Sequence, residues 1–312
     1  MKNDFPYKGS SAALASAIVL VFGCTSPDET QVGSSVDPVI GYNGNDLNGN
    51  DLNGNDLNGT SAPGTVTIWT SLEGVVLNGS TLDSATLSAS VFSGTQSGTN
   101  LSGTDFIGAQ FSAMRGDGTS VTLRLASIAS QTPSRWSYNF EYLEDDSQWY
   151  PICHNTDGPL AAYPLEGTWN YQIGPTGASH SNDPTKFTLA CRTRGALAKC
   201  IDDGYEPWSS FNGTSLADHH QACVRMIRAD YCGTGESYTT NGRLVNLYDG
   251  LGVQTDTETF GFEAEWTPNG ASCFTTHRRG PADVPCFDPN LEAGCGDLAH
   301  FNAGTLIMNE IP

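Results

Sequence analysis

The sequence "SLADHHQACVRMIRADYCG", residues 215–233, spaces its apolar and polar residues as a helix does. Ser215 followed by Asp218 is a variant of the capping-box signature of a helix N-terminus, and Gly233 is a typical stop. Between them, residues at helical spacing would form one face: Leu216, His220, Cys223, Val224, Ile227 and Tyr231. A second, polar face would hold Asp218, Gln221, Arg225 and Arg228. The pattern therefore predicts an amphipathic helix over 215–232.

This helix constrains its own cysteines. Cys223 and Cys232 are nine residues apart, which is about 13.5 Å along a continuous helix. A disulfide needs Cα atoms within roughly 7 Å, so each cysteine needs a partner elsewhere. A second, short helix is predicted near 195–202, where Leu197, Cys200 and Ile201 share a face. We therefore expect a Cys200–Cys223 bridge between the two helices.

The N-terminus indicates export. Lys2 and Lys8 precede the apolar run "AALASAIVLVFG", residues 12–23, which is too short to span a bilayer and is typical of a secretory signal. The sequence "LVFGC" resembles a bacterial lipobox. The resemblance implies cleavage before Cys24, lipidation of its thiol and, with Thr25 next, an outer-membrane anchor facing the periplasm or the cell surface. The alternatives are a plain signal peptide cut elsewhere and an uncleaved anchor.

The bulk composition excludes one class of partner. The 312 residues contain 14 basic and 34 acidic side chains, a net charge of −20. The basic residues are too few and too scattered to follow a phosphate backbone, so we expect no nucleic-acid partner. The 35 glycines favour turns and short strands.

With Cys24 lipidated, an even number of cysteines remains, which in an exported chain is typical of a disulfide framework. Besides Cys200–Cys223, the spacing suggests a local Cys286–Cys295 clip. The remaining two bridges would then form among Cys153, Cys191, Cys232 and Cys273.

A repeat with a period of five precedes these cysteines. "NGNDL" recurs over residues 43–59 and is interpreted as a flexible spacer within a tether over 24–71. The same apolar period continues at Leu72, Leu77, Leu82, Leu87 and Phe92, and resumes at Leu101, Phe106 and Phe111. This spacing resembles the pentapeptide-repeat family, which implies a short coil of β-structure over 72–113.

Strand signals dominate the rest of the chain. "SVTLRLASI" alternates with period two, and "WSYNFEYLEDDSQWYPIC" is typical of a strand, a polar turn and a strand. "TWNYQI" and "KFTLAC" are further strand candidates. "FGFEAEWTPNGASCFTTH" predicts a hairpin around Pro268, Asn269 and Gly270.

The histidines admit several kinds of site. His219 and His220 lie four and three residues before Cys223, spacings that allow a shared metal, but no metal-binding motif accompanies them. A cysteine–histidine nucleophile needs a free thiol, which an even cysteine count disfavours. The remaining interpretation places His220 in the core, hydrogen-bonded to the backbone, with His219 at the edge of the core. We expect no metal and no cofactor. A weak calcium site around His180, Asn182 and Asp183 has no full loop signature.

Two further hypotheses leave the cysteines structural. His219 or His220 with Asp230 or Asp249 could form an acid–base pair of a hydrolase-like enzyme. Arg225 and Arg228 could bind an anionic group of a ligand. Asp249, in "NLYDGLG", is equally typical of a turn residue.

Three blocks identify a family resemblance: "FTLACRTRGALAKCIDDGYEPW", "LADHHQACVRMIRADYCG" and "LVNLYDGLGVQTDTETFGFEAEW". They resemble the ADYC-domain family, named for the tetrad at 229–232, over residues 115–280. The resemblance implies an exported bacterial protein and supplies no catalytic residues.

The sequence thus predicts an α+β chain in four parts. A signal peptide (1–23) and a tether (24–71) precede the repeat segment (72–113) and a disulfide-rich antiparallel β domain with two packed helices (114–312). We expect a lipid-anchored surface protein that binds an unknown protein or small molecule or is structural, with the hydrolase as the alternative.

Overall fold

The computed structural model describes residues 39–41, 67–133, 135–155, 157–239, 243–278, 284–288 and 294–312. The predicted signal peptide, Cys24 and the Asn-Gly repeat over 43–59 lie outside these residues, as does most of the predicted tether. The described residues belong to one compact unit, which is mostly β.

A closed six-stranded barrel forms the first half of the fold. Each strand pairs antiparallel with the next along the chain, and the last pairs with the first. The strands are β1 (Thr67–Ser71), β2 (Gln110–Arg115), β3 (Ser120–Gln131), β4 (Trp136–Leu143), β5 (Ala162–Glu166) and β6 (Lys186–Cys191). Closure leaves no exposed sheet edge. The strands predicted for β3, β4 and β6 are confirmed, but the barrel itself was not predicted.

Aromatic side chains fill the core of the barrel. Phe111 of β2, Tyr138 and Phe140 of β4, and Phe187 of β6 are all buried. Phe92 is buried among them, with ring centroids 5.3 Å from Phe187 and 5.4 Å from Tyr138. Phe92 belongs to the segment between β1 and β2, so it fastens that segment to the barrel.

The segment between β1 and β2 holds the predicted coil. The apolar residues that recur at every fifth position of this segment are buried, except for the half-buried Leu101. However, every pairing described within 72–113 is antiparallel. Successive coils of a solenoid run parallel, so these residues form hairpins instead of the predicted coil. The strands are Val76–Leu77, Ser80–Thr81, Ser84–Ser88, Val91–Gln96 and Thr99–Ser102, followed by a 3₁₀ turn at Gly103–Phe106.

A second antiparallel sheet forms the C-terminal half. Its strands are β7 (Arg243–Asp249), β8 (Gly261–Thr267), β9 (Gly270–Phe274) and β10 (Ile307–Ile311). The order is Val39–Gly41, β7, β10, β8, β9, so a short strand from the predicted tether forms one edge. The β8–β9 hairpin turns at Pro268 and Asn269, as predicted. A 3₁₀ turn, Leu298–Ala303, precedes β10.

The two helices share one core with barrel residues and the second sheet. Helix α1 (Ala196–Asp202) contacts β6, and α2 (Ala217–Arg228) contacts α1, β8, β9 and β10. Both helices were predicted, but α2 begins at Ala217, after Leu216 and without the predicted side-chain cap, and it ends four residues earlier than 232. Ala229 takes a left-handed conformation with φ of 51°, which turns the chain out of the helix.

Four disulfides fasten these layers: Cys153–Cys191, Cys200–Cys223, Cys232–Cys286 and Cys273–Cys295. The predicted α1–α2 bridge, Cys200–Cys223, is confirmed. The predicted Cys286–Cys295 clip is wrong. Cys232 follows the end of α2 and lies beside 286, while Cys273 of β9 lies beside 295, with Cα atoms 5.6 and 5.8 Å apart.

Several short antiparallel pairs lie in the connections between the main strands and helices. Trp149–Pro151 extends β4, and three two-residue pairs follow along the chain: His154–Asn155 with Gly158–Pro159, Thr168–Trp169 with His180–Ser181, and Ser210–Phe211 with Thr214–Ser215. The second of these pairs, which follows β5, brings Trp169 and His180 beside the start of α2.

Candidate functional site: a tryptophan-lined pocket

A pocket of about 520 Å³ lies beside the first turns of α2. One wall comes from the end of β5 and the hairpin that follows it, another from α2, and a third from the β8–β9 turn at Pro268 and Asn269. The loop after α1 adds Trp208. Four separate parts of the chain therefore meet at this pocket, which we call the Trp169 pocket.

Trp169 lines the pocket and is held in a fixed orientation. The side chain is buried, and its Nε1 donates to Oε1 of Gln221 at 3.2 Å. Gln221, on α2, in turn donates from Nε2 to the backbone oxygen of Ala178 at 2.8 Å. This chain of bonds leaves the indole little freedom, since both partners belong to packed elements.

His180 lies over the Trp169 ring, with centroids 4.4 Å apart. Its Nε2 donates to the backbone oxygen of Glu166 at 3.0 Å; a carbonyl can only accept, so Nε2 carries the proton. Gly167 makes this approach possible. A Cβ there would lie 2.5 Å from His180 Nε2, and the φ of 86° also favours glycine.

Two carboxylates complete the lining. Glu166 ends β5 and Asp218 lies in the first turn of α2, and both side chains are exposed. Within the ranges that the structure describes, neither carboxylate has a hydrogen-bond or ion-pair partner. No lysine or arginine is among the described residues that line the pocket.

His220 also borders the pocket but is sealed into the core. It is 1% exposed, and its Nε2 donates to the backbone oxygen of Leu197 in α1 at 3.0 Å. Burial lowers the pKa of His220 to about 4, so its ring is neutral at neutral pH. His220 therefore packs α2 on α1, as the packing interpretation expected.

His219 lies on the other side of the helix, outside the pocket lining. Its ring stacks on Tyr205 at 6.2 Å, and the Tyr205 hydroxyl donates to Asp249 at 2.7 Å. Burial lowers the pKa of His219, although Asp249 and Asp218 oppose the shift. The structure thus brings His219 and Asp249 into one buried row, joined through Tyr205.

Asp249 has a clear local role. Its carboxylate accepts the backbone N–H groups of Leu251, Gly252, Val253 and Gln254 as well as the Tyr205 hydroxyl. Five donors on one buried carboxylate hold the loop after β7 in a single conformation. This geometry matches the turn interpretation of "NLYDGLG".

Arg225 and Asp230 pair inside the protein rather than at a surface. The Arg225 guanidinium binds the Asp230 carboxylate and also donates to the backbone oxygens of Gly177 and Pro268. Asp230 accepts the N–H groups of Thr234 and Gly235 at 2.9 and 2.8 Å. Arg228, also buried, donates to the backbone oxygen of Gly235. The structure therefore does not bring Asp230 to His219 or His220.

Tyr231 joins a second buried polar cluster. Its hydroxyl donates to Glu263 of β8 and accepts the backbone N–H of Arg278 at 3.0 Å. The Glu263 carboxylate also accepts hydrogen bonds from Nε and Nη2 of Arg278 and from Nδ2 of Asn309. All these side chains are buried. Burial, followed by the neighbouring Glu263, raises the pKa of Tyr231 well above its usual value, so the hydroxyl keeps its proton.

Each residue of the tetrad at 229–232 therefore has a structural role. Ala229 ends α2, Asp230 pairs with Arg225, Tyr231 binds Glu263, and Cys232 is bridged to Cys286. A sequence model of the ADYC domain matches residues 103–280, more than half of the chain. The chain belongs to the ADYC-domain family. The tetrad that we associated with the family's name forms a corner that ties α2 to the second sheet.

The ADYC match begins between β1 and β2 and ends just after Arg278. It therefore includes the Trp169 pocket and five of the six barrel strands, but neither β1 nor β10. No curated protein and no solved structure matches this chain. The ADYC match accordingly establishes the family and assigns no activity.

Two general features of the described residues bear on the site. They contain no group of three or more His, Cys, Asp or Glu side chains arranged to hold a metal ion. In the part of the chain that the structure covers, no helix combines the length and the apolar character that crossing a bilayer requires. The four disulfides indicate an extracellular or otherwise oxidising compartment.

Four of the lining residues were not predicted as site residues: Glu166, Trp169, Trp208 and Asn269. They come from three segments that are distant along the chain, and none belongs to a known motif. The available signal was weak: Trp169 in "TWNYQI" and Trp208 in "EPWSS" both stand close to turn residues.

Proposed function

We propose that this protein is an exported, lipid-anchored binding protein that holds a small ligand in the Trp169 pocket. The observation that carries the proposal is an indole fixed by Gln221, beside two carboxylates without a partner among the described residues. Ligand pockets commonly combine an apolar or aromatic lining with a few polar groups that orient the ligand.

The rigidity of the pocket favours binding. Gln221 and His220 both belong to α2, and the Cys200–Cys223 bridge ties that helix to α1. A pocket that is formed before the ligand arrives avoids the entropic cost of ordering its side chains.

A hydrolase-like enzyme is the second candidate. Its support is the row His219, Tyr205 and Asp249, whose side chains are all buried. We rank it second because His219 does not line the Trp169 pocket and because the carboxylate of Asp249 already accepts five donors.

The membrane anchor is part of the proposal. Its support is the lipobox-like "LVFGC" sequence, and the disulfides agree with export. Cys24→Ser should move the protein from the outer-membrane fraction to the soluble fraction and abolish labelling by a fatty acid. Continued labelling of Cys24→Ser would refute lipidation at this position.

The binding proposal is tested by ligand-observed NMR. The purified exported protein is mixed with sugars, amino acids, amines and nucleosides, and saturation transfer identifies any that bind. We expect at least one binder whose signal is lost in Trp208→Ala and kept in Trp149→Ala. Trp149 is the matched control, because it lies outside the pocket, at 4.4 Å from the Arg124 guanidinium. Equal signals in both variants would refute the Trp169 pocket as the site.

A further inference from the structure

We propose that the ligand of the Trp169 pocket is an organic cation, a molecule that presents an ammonium group to the carboxylates of Glu166 and Asp218. This inference rests on the proposed binding function and names the class of ligand. The charge of the lining, the charges behind it and the aromatic rings support this class of ligand.

The lining is negative. Glu166 and Asp218 each contribute one negative charge, and neither charge is neutralised by a partner among the described residues. His220 contributes no positive charge at neutral pH, because burial holds its pKa at about 4. A ligand with an ammonium group would supply the missing counter-charge and three hydrogen-bond donors.

Two positive features near the pocket are weaker than these carboxylates. The N-terminus of α2 carries about half a positive charge, which two full negative charges exceed. Arg225 lies behind Pro268 of the pocket wall, but it is paired with the buried Asp230. The balance therefore favours a cation over an anion.

The aromatic rings provide a second, independent preference. Trp169 and Trp208 both line the pocket, and tryptophan is the aromatic side chain that attracts cations most strongly. A methylene chain next to the ammonium group could lie against the same rings. Neutral sugars also stack on indoles, but they would leave the two carboxylates without a counter-charge.

The whole protein supports the same choice. Its net charge of −20 raises the local concentration of cations near its surface. Because Glu166 and Asp218 are exposed, their attraction for a cation should weaken as salt screens it. A neutral ligand would show neither effect.

The experiment compares probes of similar length but different charge. Isothermal titration is run with 1,4-diaminobutane, lysine and choline as cations, 1,4-butanediol as the neutral analogue, succinate as the anion, and maltose as a neutral sugar. We expect saturable binding of at least one cation, weakened by added salt, and none of the diol or succinate.

Variants locate the binding. Glu166→Gln and Asp218→Asn should each weaken cation binding about threefold, the size of one exposed charge contact. Glu73→Gln is the control, because it removes the same charge from an exposed position outside the pocket. Trp208→Ala should weaken the cation about tenfold.

The outcomes separate the two proposals. Absence of saturable binding for all three cations up to about 10 mM overturns the inference, since even weak specific sites are filled there. Binding of maltose or the diol that depends on Trp208 but not on Glu166 or Asp218 also overturns it, while the binding function stands. Cation binding that Glu73→Gln weakens as much as Asp218→Asn overturns it too, because the attraction would then belong to the whole surface.

Discussion

Arg225 and Asp230 form an ion pair across the end of α2, with their side chains 2% and 0% exposed. Four residues lie between them in the sequence, and one of these, the left-handed Ala229, makes the contact possible. Arg225 also donates hydrogen bonds to the backbone oxygens of residues 177 and 268, and Asp230 accepts hydrogen bonds from the backbone N–H groups of residues 234 and 235. One buried pair thus joins α2, the loop after it, the β8–β9 turn and the hairpin that carries His180.

Asp230→Ala should destabilise the protein strongly. Removing one partner leaves the Arg225 charge buried without compensation, which lowers the free energy of unfolding by about 3–5 kcal/mol. Urea unfolding followed by circular dichroism measures the loss. Asp218→Ala is the control on the same helix, where an exposed first-turn carboxylate contributes at most about 1 kcal/mol. Equal losses in the two variants would contradict the structural role of the pair.

His220 should make the protein sensitive to acid. Its pKa is about 4 in the folded protein and about 6.5 in the unfolded chain, so only the unfolded chain takes up a proton between these values. The contribution of His220 to the free energy of unfolding is therefore fully present above pH 6.5. It falls by about 3 kcal/mol in total as the pH drops towards 4.

The test is the free energy of unfolding at pH 7 and pH 4.5 in the original protein and in His220→Gln. Glutamine can still donate to the Leu197 oxygen but does not titrate, so the difference between the two pH values should shrink. His154→Gln, at an exposed histidine, is the control for replacing a histidine outside the core. An unaltered pH dependence in His220→Gln would count against a buried neutral imidazole.

His300 should act in the opposite direction. Its Nδ1 lies 2.8 Å from the Glu265 carboxylate, and this hydrogen bond and the Glu265 charge raise the pKa of His300. The contact therefore stabilises the fold fully below pH 6.5 and is lost as the pH rises through the raised folded-state pKa. His300→Gln should lower the stability at pH 5.5 and have a smaller effect at pH 8.5. A larger effect at pH 8.5, again from urea unfolding, would reverse the assigned sign.

Local elements of the fold were predictable and long-range ones were not. The two helices, the 268–270 turn and the Cys200–Cys223 bridge follow from spacing over short windows. Closure of the barrel depends on β1 pairing with β6, more than a hundred residues later, and on Thr67–Ser71 lying in a segment predicted as tether. Nothing local marks such a pairing.

The same reasoning explains the predictions that were wrong. The large apolar residues that recur every five positions over Leu72–Phe92 are buried. Antiparallel hairpins packed against the barrel bury residues at this spacing as well as a coil does. Two burials were not predicted at all: in "FGFEAEW", Glu263 and Glu265 alternate with apolar residues, a pattern typical of a half-exposed strand. Both are buried, because Arg278 and His300 come from distant segments to meet them. The Trp169 pocket was not predicted, because its walls come from four segments of the chain.

Mapping the disulfides gives the most direct check on the layers of the fold. Protein purified under oxidising conditions should show no free thiol among the eight cysteines from Cys153 to Cys295 after unfolding. Peptide mass mapping without reduction should recover Cys232–Cys286 and Cys273–Cys295. A peptide that joins Cys286 to Cys295 would contradict the structure and restore the local clip that spacing alone suggested.

The loop lengths predict an order of stability for variants of these bridges. Cys232–Cys286 spans 54 residues and Cys200–Cys223 spans 23. In the chain-entropy description their loss removes about 4 and about 3 kcal/mol respectively. Through loop closure alone, Cys232→Ala with Cys286→Ala should thus destabilise the protein more than Cys200→Ala with Cys223→Ala.

Cys200 and Cys223 are both fully buried between the helices, so their removal also opens a void. Cys200→Ser with Cys223→Ser should therefore have a free energy of unfolding about 1–3 kcal/mol lower than Cys200→Ala with Cys223→Ala, because two hydroxyls would be buried there. Equal urea midpoints for the serine and alanine pairs would show that the interface between α1 and α2 admits water.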